Sequence, residues 1–296
     1  MKAFAALVHR EFLEHRGAFL TGPLILVGIL FGATILAFTV GRVDARFSGA
    51  LFTLAPLRVY EIGFLGLGFG WLLYLLTVLV FYCADGFAAD KRDNAMLFWK
   101  SMPVSDFRML LSKLVAALTI LPGTVYGITL LSGLLLFGVA FTTMMITGTA
   151  NWAILGGIAT VYAQVAFAIL VTLVCGLLWY LPLMGIAGGL ATALGRWAIP
   201  VSALLPALIS LLEWVTLGGG FHPFDTKSWH YFENRLAPPN TDYLDSIFVD
   251  DAPFSALTYA TTLIEQLDWL QVGLGAAVAL LAIYLASEYR RRAAAN

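Results

Sequence analysis

DKRDNAMLFWKSMPVSDFRMLLSK, residues Asp90–Lys113, interrupts a chain that is otherwise close to hydrocarbon. It carries Asp90, Lys91, Arg92, Asp93, Lys100, Asp106, Arg108 and Lys113, whereas the whole 296-residue protein has only 17 Lys and Arg and 18 Asp and Glu. Hydrophobic residues make up 60% of the chain and charged residues 12%, with a mean hydropathy of +0.86. A soluble domain carries about 25% charged residues. Composition therefore specifies an all-α integral membrane protein and excludes a soluble multidomain one, so the charge-rich stretch is where the chain must leave the bilayer.

Working outward from it, each spanning helix needs roughly 20 apolar residues to cross a ~30 Å hydrocarbon layer. Runs of that length lie at Ala18–Val40, Ile62–Cys83, Leu114–Phe141, Trp152–Leu181, Trp197–Leu217 and Leu270–Ser287. Six crossings put both termini on one side. Lys and Arg favour cytoplasmic flanks, and a cytoplasmic N-terminus leaves only Arg42, Arg46, Arg58, Lys227 and Arg235 outside. The join between the fourth and fifth runs, LPLMGIAGGLATALGRW, has a single charge at Arg196. Without a turn there, five crossings would strand Arg290, Arg291 and Arg292 outside, so six are expected, with Pro182 and the glycines permitting the bend. The first run exceeds a signal-peptide core and is expected to be retained. Cys83 and Cys175 fall in apolar runs and act as small hydrophobes.

The expected organisation is an amphipathic interfacial helix in 1–17, five spans in 18–217 with a cytoplasmic loop at 84–113, an external segment at 218–268, and a sixth span with a basic tail in 269–296. The external segment is acidic and rich in aromatics. It is expected to be solvated, folding compactly or resting on headgroups. Net charge is −1, and nothing points to nucleic acid.

Within the opening stretch, Pro103 disfavours helical geometry at Met102, and Ser105 is a good N-cap for a helix running straight into the third span. The preceding piece mixes Lys91, Arg92 and Lys100 with Met96, Leu97, Phe98 and Trp99. On residues alone, this loop either satisfies the orientation rule with its aromatics at the interface or docks a cytoplasmic partner. At the N-terminus, Phe4, Leu7, Val8 and Phe12 form an apolar face, yet Glu11 and His15 project close to it. They either snorkel or face a partner or the loop.

The succession of Asp90, Lys91 and Arg92, an apolar piece at Met96–Trp99, Met102-Pro103-Val104-Ser105, Ser112-Lys113 and Pro122 resembles the loop between the second and third spans of type 2 ATP-binding-cassette exporter permeases. HREFLEHR, His9–Arg16, is similar to that family's N-terminal amphipathic helix. The resemblance implies that the loop is a coupling helix seated on a separate ATPase subunit. Asp90, Lys91, Arg92, Phe98, Trp99, Pro103 and Ser105 would carry the contact and Glu11 would assist. It also implies a second permease subunit, identical or related, and a place in the cell membrane as a multi-pass protein. A non-transporting anchor or assembly factor recruiting a partner through the same loop is the alternative.

No G-x-x-x-x-G-K-[ST] phosphate loop occurs. ATP and magnesium are therefore expected on the partner and no cofactor on this chain, which is read as a transport subunit and not an enzyme. Neither H-E-x-x-H nor G-x-S-x-G occurs. His222, Asp225, His230 and Glu233 match no metal-ligand spacing and are expected to be ordinary polar side chains. Glu213 is the sole acid well inside an apolar run; it either snorkels or lines a transport path or pairs with a second subunit. Gln164 and Tyr126 join it as candidate path residues, although hydroxyl and amide groups in spans more often make packing hydrogen bonds. The apolar, weakly charged interior suits amphipathic or lipid-like cargo.

Overall fold

The computed structural model describes residues 2–40, 56–92, 105–147, 152–218, 221–236 and 254–293. Ten α-helices occur among them, with no strand: α1 Lys2–Arg16, α2 Gly22–Thr39, α3 Pro56–Arg92, α4 Asp106–Leu118, α5 Ile120–Thr147, α6 Trp152–Leu194, α7 Ala198–Leu217, α8 Lys227–Leu236, α9 Ala256–Gln266 and α10 Trp269–Ala293. Six helical stretches are long and apolar enough to cross a membrane: Phe4–Ala37, Leu57–Ala89, Asp106–Met145, Leu155–Leu194, Ala198–Leu217 and Trp269–Arg292. Leu and Ile side chains along α2, α7 and α10 are exposed, as lipid-facing positions must be.

The pillars are α3 and α6, of 37 and 43 residues. At 1.5 Å per residue they run about 56 and 65 Å, well beyond a ~30 Å hydrocarbon layer. They pack along their length, and α9 and then α10 follow α6 in turn: the Tyr259 hydroxyl meets Thr172 Oγ1 at 2.9 Å, and Ala279 lies against Gly185. A Cβ on Gly185 would come within 2.6 Å of the Ala279 backbone, so only glycine allows this approach. Polar side chains join the spans where apolar packing alone would leave them orphaned: Trp71 Nε1 donates to Ser132 Oγ at 3.1 Å, and the Tyr60 hydroxyl donates to the Gly133 carbonyl at 3.0 Å.

Two sequence expectations need correction, the end of the fourth span and the unbroken helix from Ser105. Upstream of both, α1 is joined to α2 by a five-residue π-turn, Gly17–Thr21. The wide turn frees the Ala18 carbonyl, which accepts from the Tyr74 hydroxyl at 2.6 Å. Pro182 does not end the fourth span but lies inside α6; the chain turns at Gly195, whose φ of +58° opens a short 3₁₀ turn, Gly195–Trp197. The helix from Ser105 does not run unbroken, because Pro122 has no N–H for the Leu118 carbonyl and its ring crowds that carbonyl. Thr119 leaves helical geometry there, with φ −126° and ψ −79°. Within 218–268, Thr226, Arg235, Tyr259 and Leu263 are each buried.

Candidate functional site

The two helices that flank residues 93–104 meet at the end of the bundle that also holds α1 and the last turns of α10. Ser105, extended at ψ 147°, caps α4: its Oγ accepts from the Arg108 N–H at 3.4 Å, and Asp106 in the first turn complements the helix dipole. About two turns later Lys113 turns inward. Its Nζ donates to Glu11 Oε1 at 3.1 Å, while the Tyr82 hydroxyl of α3 donates to Glu11 Oε2 at 3.0 Å and lies 3.2 Å from the Lys113 carbonyl. Side-chain exposures of 2% for Lys113 and 4% for Glu11 make this a buried pair with each carboxylate oxygen supplied by one donor. His15 closes the cluster, donating from Nδ1 to the Glu11 carbonyl at 3.0 Å and meeting Tyr82 edge-on at 4.7 Å.

The first turn of α4 is also tied to α10. Arg290 is buried, with Nε 3.9 Å from Asp106 Oδ1 and Nη2 3.8 Å from Met109 Sδ. Thus α1, α3, α4 and α10 form one body around the start of α4. The polar ties are dispersed in sequence, but they converge on a helix whose apolar side already packs Leu110, Leu114 and Ala117 into the core with Phe19, Phe87 and Leu121.

Glu11, expected as a contact for a partner, is internal: both its oxygens are used within the chain. Asp90, Lys91 and Arg92 form the last turn of α3. Phe98, Trp99 and Pro103 lie outside the described residues. Ser105 caps as expected. Lys113, Tyr82 and Arg290 were missed as a set, although a lone lysine behind Ser112 in an apolar run was the available signal.

The candidate path residues are not gathered. The Tyr126 hydroxyl donates to the Ala166 carbonyl at 3.0 Å, two residues beyond half-buried Gln164. No described contact joins either to Glu213, which instead receives the Ser228 backbone N–H at 3.0 Å and the Ser228 hydroxyl, capping the start of α8. Between His222 and Glu233, His230 lies 3.4 Å from both Asp225 and Glu233, all exposed. The Phe221 N–H, followed by His230, holds the Asp225 carboxyl below the usual carboxylate range. The described group with metal-like spacing is Glu11, Glu14 and His15. Glu11 there is already committed to Lys113 and Tyr82. Comparison with protein-family models, with curated proteins and with solved structures finds no match for this chain.

Proposed function

We propose that the chain is the membrane-spanning permease subunit of a type 2 ATP-binding-cassette exporter, driven by ATP hydrolysis on a separate ATPase subunit. Both termini and the 84–113 hairpin face the cytoplasm, and a second permease subunit completes the translocation path in the cell membrane. One observation carries the reading: the helices on both sides of residues 93–104 are anchored in the same buried Glu11–Lys113–Tyr82 cluster. A push delivered between them passes to α1 and α10, to which these helices are tied. Thr119 then offers a place for α4 to pivot against α5. Glu11 acts through this cluster as a positioning residue and does not touch the ATPase.

The test is charge reversal of Lys91 and Arg92 to Glu in the intact complex. Membrane insertion and basal ATP hydrolysis by the partner are expected to persist while transport-linked stimulation is lost. Coupling unchanged by the reversal would refute the assignment of this hairpin.

A further inference from the structure

Helix α8 turns back along α7. Gly218, left-handed at φ +62°, ends α7, and the chain then returns so that Phe232 and Leu236 border the same cavity as Ala203 and Pro206 of α7. At 1.5 Å per residue Leu217 lies about 16 Å beyond Pro206, and the ten residues of α8 cover about 15 Å. The last turn of α8 therefore lies among the apolar spans and not at their edge. Its two ends are held very differently. At the start, the Thr226 hydroxyl accepts from the Trp229 N–H at 3.3 Å and meets buried Ser210 of α7, Ser210 donates to the Pro223 carbonyl, and Glu213 accepts from both the N–H and the hydroxyl of Ser228. At the far end, Trp179 Nε1 donates to the Arg235 carbonyl at 2.9 Å, and the Tyr180 hydroxyl reaches the Leu236 carbonyl only at 3.5 Å.

No buried apolar side chain anchors that far end, because the one buried residue of α8 is Arg235. Its guanidinium packs against the Trp179 ring at 4.1 Å and against Gly275, and Nε, Nη1 and Nη2 have no hydrogen-bond partner. A guanidinium cannot escape burial by losing its proton. One aromatic face returns only part of the desolvation cost of a charge with no hydrogen-bonded counter-ion. Behind α8 there is space in place of packing: a cavity of about 330 Å³, walled also by Leu76 and Val80 of α3 and Met184 of α6. We infer that α8 is a hinged lid over this cavity, pinned to α7 at Thr226 and Ser228 and kept ready to swing open by the unpaired charge buried at its free end. Opening carries the guanidinium to water or headgroups, where its donors are satisfied, and connects the cavity with the Leu217 end of α7. The inference stands independently of the transport reading.

The test is amide hydrogen exchange, read by mass spectrometry on the full chain in a neutral maltoside detergent, together with the thermal unfolding midpoint. A ten-residue helix is marginal in water by itself, so each opening exposes the amides of α8 to exchange. In the parent chain, residues 231–236 should exchange about 100-fold or more faster than residues 176–184 of α6, which the bundle protects. Arg235→Met keeps an unbranched side chain but removes the charge. It should slow exchange over 231–236 about tenfold or more and leave the midpoint equal or higher. Trp179→Phe keeps an aromatic face but removes the indole donor to the Arg235 carbonyl, and should speed the same exchange about threefold or more. An arginine that held α8 in place would give the reverse for Arg235→Met, faster exchange and a lower midpoint, and that result would overturn the lid. Exchange over 231–236 as slow as in α6 in the parent chain, or unmoved by Trp179→Phe, would overturn it as well.

Discussion

Removing Lys113 should be far more damaging than removing Lys113 and Glu11 together. The pair is 3.1 Å apart, with side chains 2% and 4% exposed, and it joins α1 to α4 across 102 residues of sequence. Loss of one partner of a buried ion pair costs about 3–5 kcal/mol because the other charge is left uncompensated, whereas neutral replacement of both is close to neutral. Lys113→Met and Glu11→Gln should therefore each destabilise by about 3 kcal/mol, a factor of roughly 150 in the folding equilibrium. The double variant should lie within about 1 kcal/mol of the parent, giving a large non-additive term. Tyr82→Phe, which removes one hydrogen bond to the carboxylate, should cost about 1.5–3 kcal/mol. Equilibrium unfolding in mixed detergent micelles, followed by tryptophan fluorescence, measures all four. Single variants within about 0.5 kcal/mol of the parent, or two single effects that simply add, would refute a buried pair holding the bundle end together.

Gly185→Ala should lose about 1–3 kcal/mol by the same assay, because the added Cβ meets Ala279 backbone that cannot swing away. Gly189→Ala, whose Cβ would lie 3.3 Å from the Ala282 carbonyl oxygen, should be milder; the reverse order would contradict the close α6–α10 approach. Pro122→Ala supplies the missing N–H to the Leu118 carbonyl and should close the break at Thr119. Slower hydrogen exchange over residues 119–123 is expected, and unchanged exchange would mean that the proline does not cause the break.

The six spans were legible because a ~30 Å apolar layer demands long uninterrupted runs, and such runs dominate this composition. Their true lengths were not. Helix α3 begins at Pro56 and α6 persists to Leu194, since packing between pillars sustains helix through residues that hydropathy alone leaves ambiguous. The turn at Gly195 was misplaced toward Pro182 because a proline inside a span is tolerated when neighbouring helices cover the freed carbonyl. The Ser105 cap was readable, being a matter of four adjacent residues. Pairing of Lys113 with Glu11, and of Arg290 with Asp106, was not, because contacts 102 and 184 positions apart leave no local pattern. Arg235 was hidden for another reason. Its surroundings, KSWHYFENRL, belong to the acidic external segment expected to be solvated, and only packing against Trp179 and Gly275 shows that Arg235 is buried.

The central claim, that the 84–113 hairpin is gripped by an ATPase, is tested most directly by a photo-crosslinking residue placed at Trp99 in intact cells. Capture of a chain bearing a phosphate-loop ATPase motif, lost when Lys91 and Arg92 are reversed to Glu, is the predicted result. Capture of no nucleotide-hydrolysing chain, together with labelling of Lys100 by a membrane-impermeant reagent from outside, would contradict it.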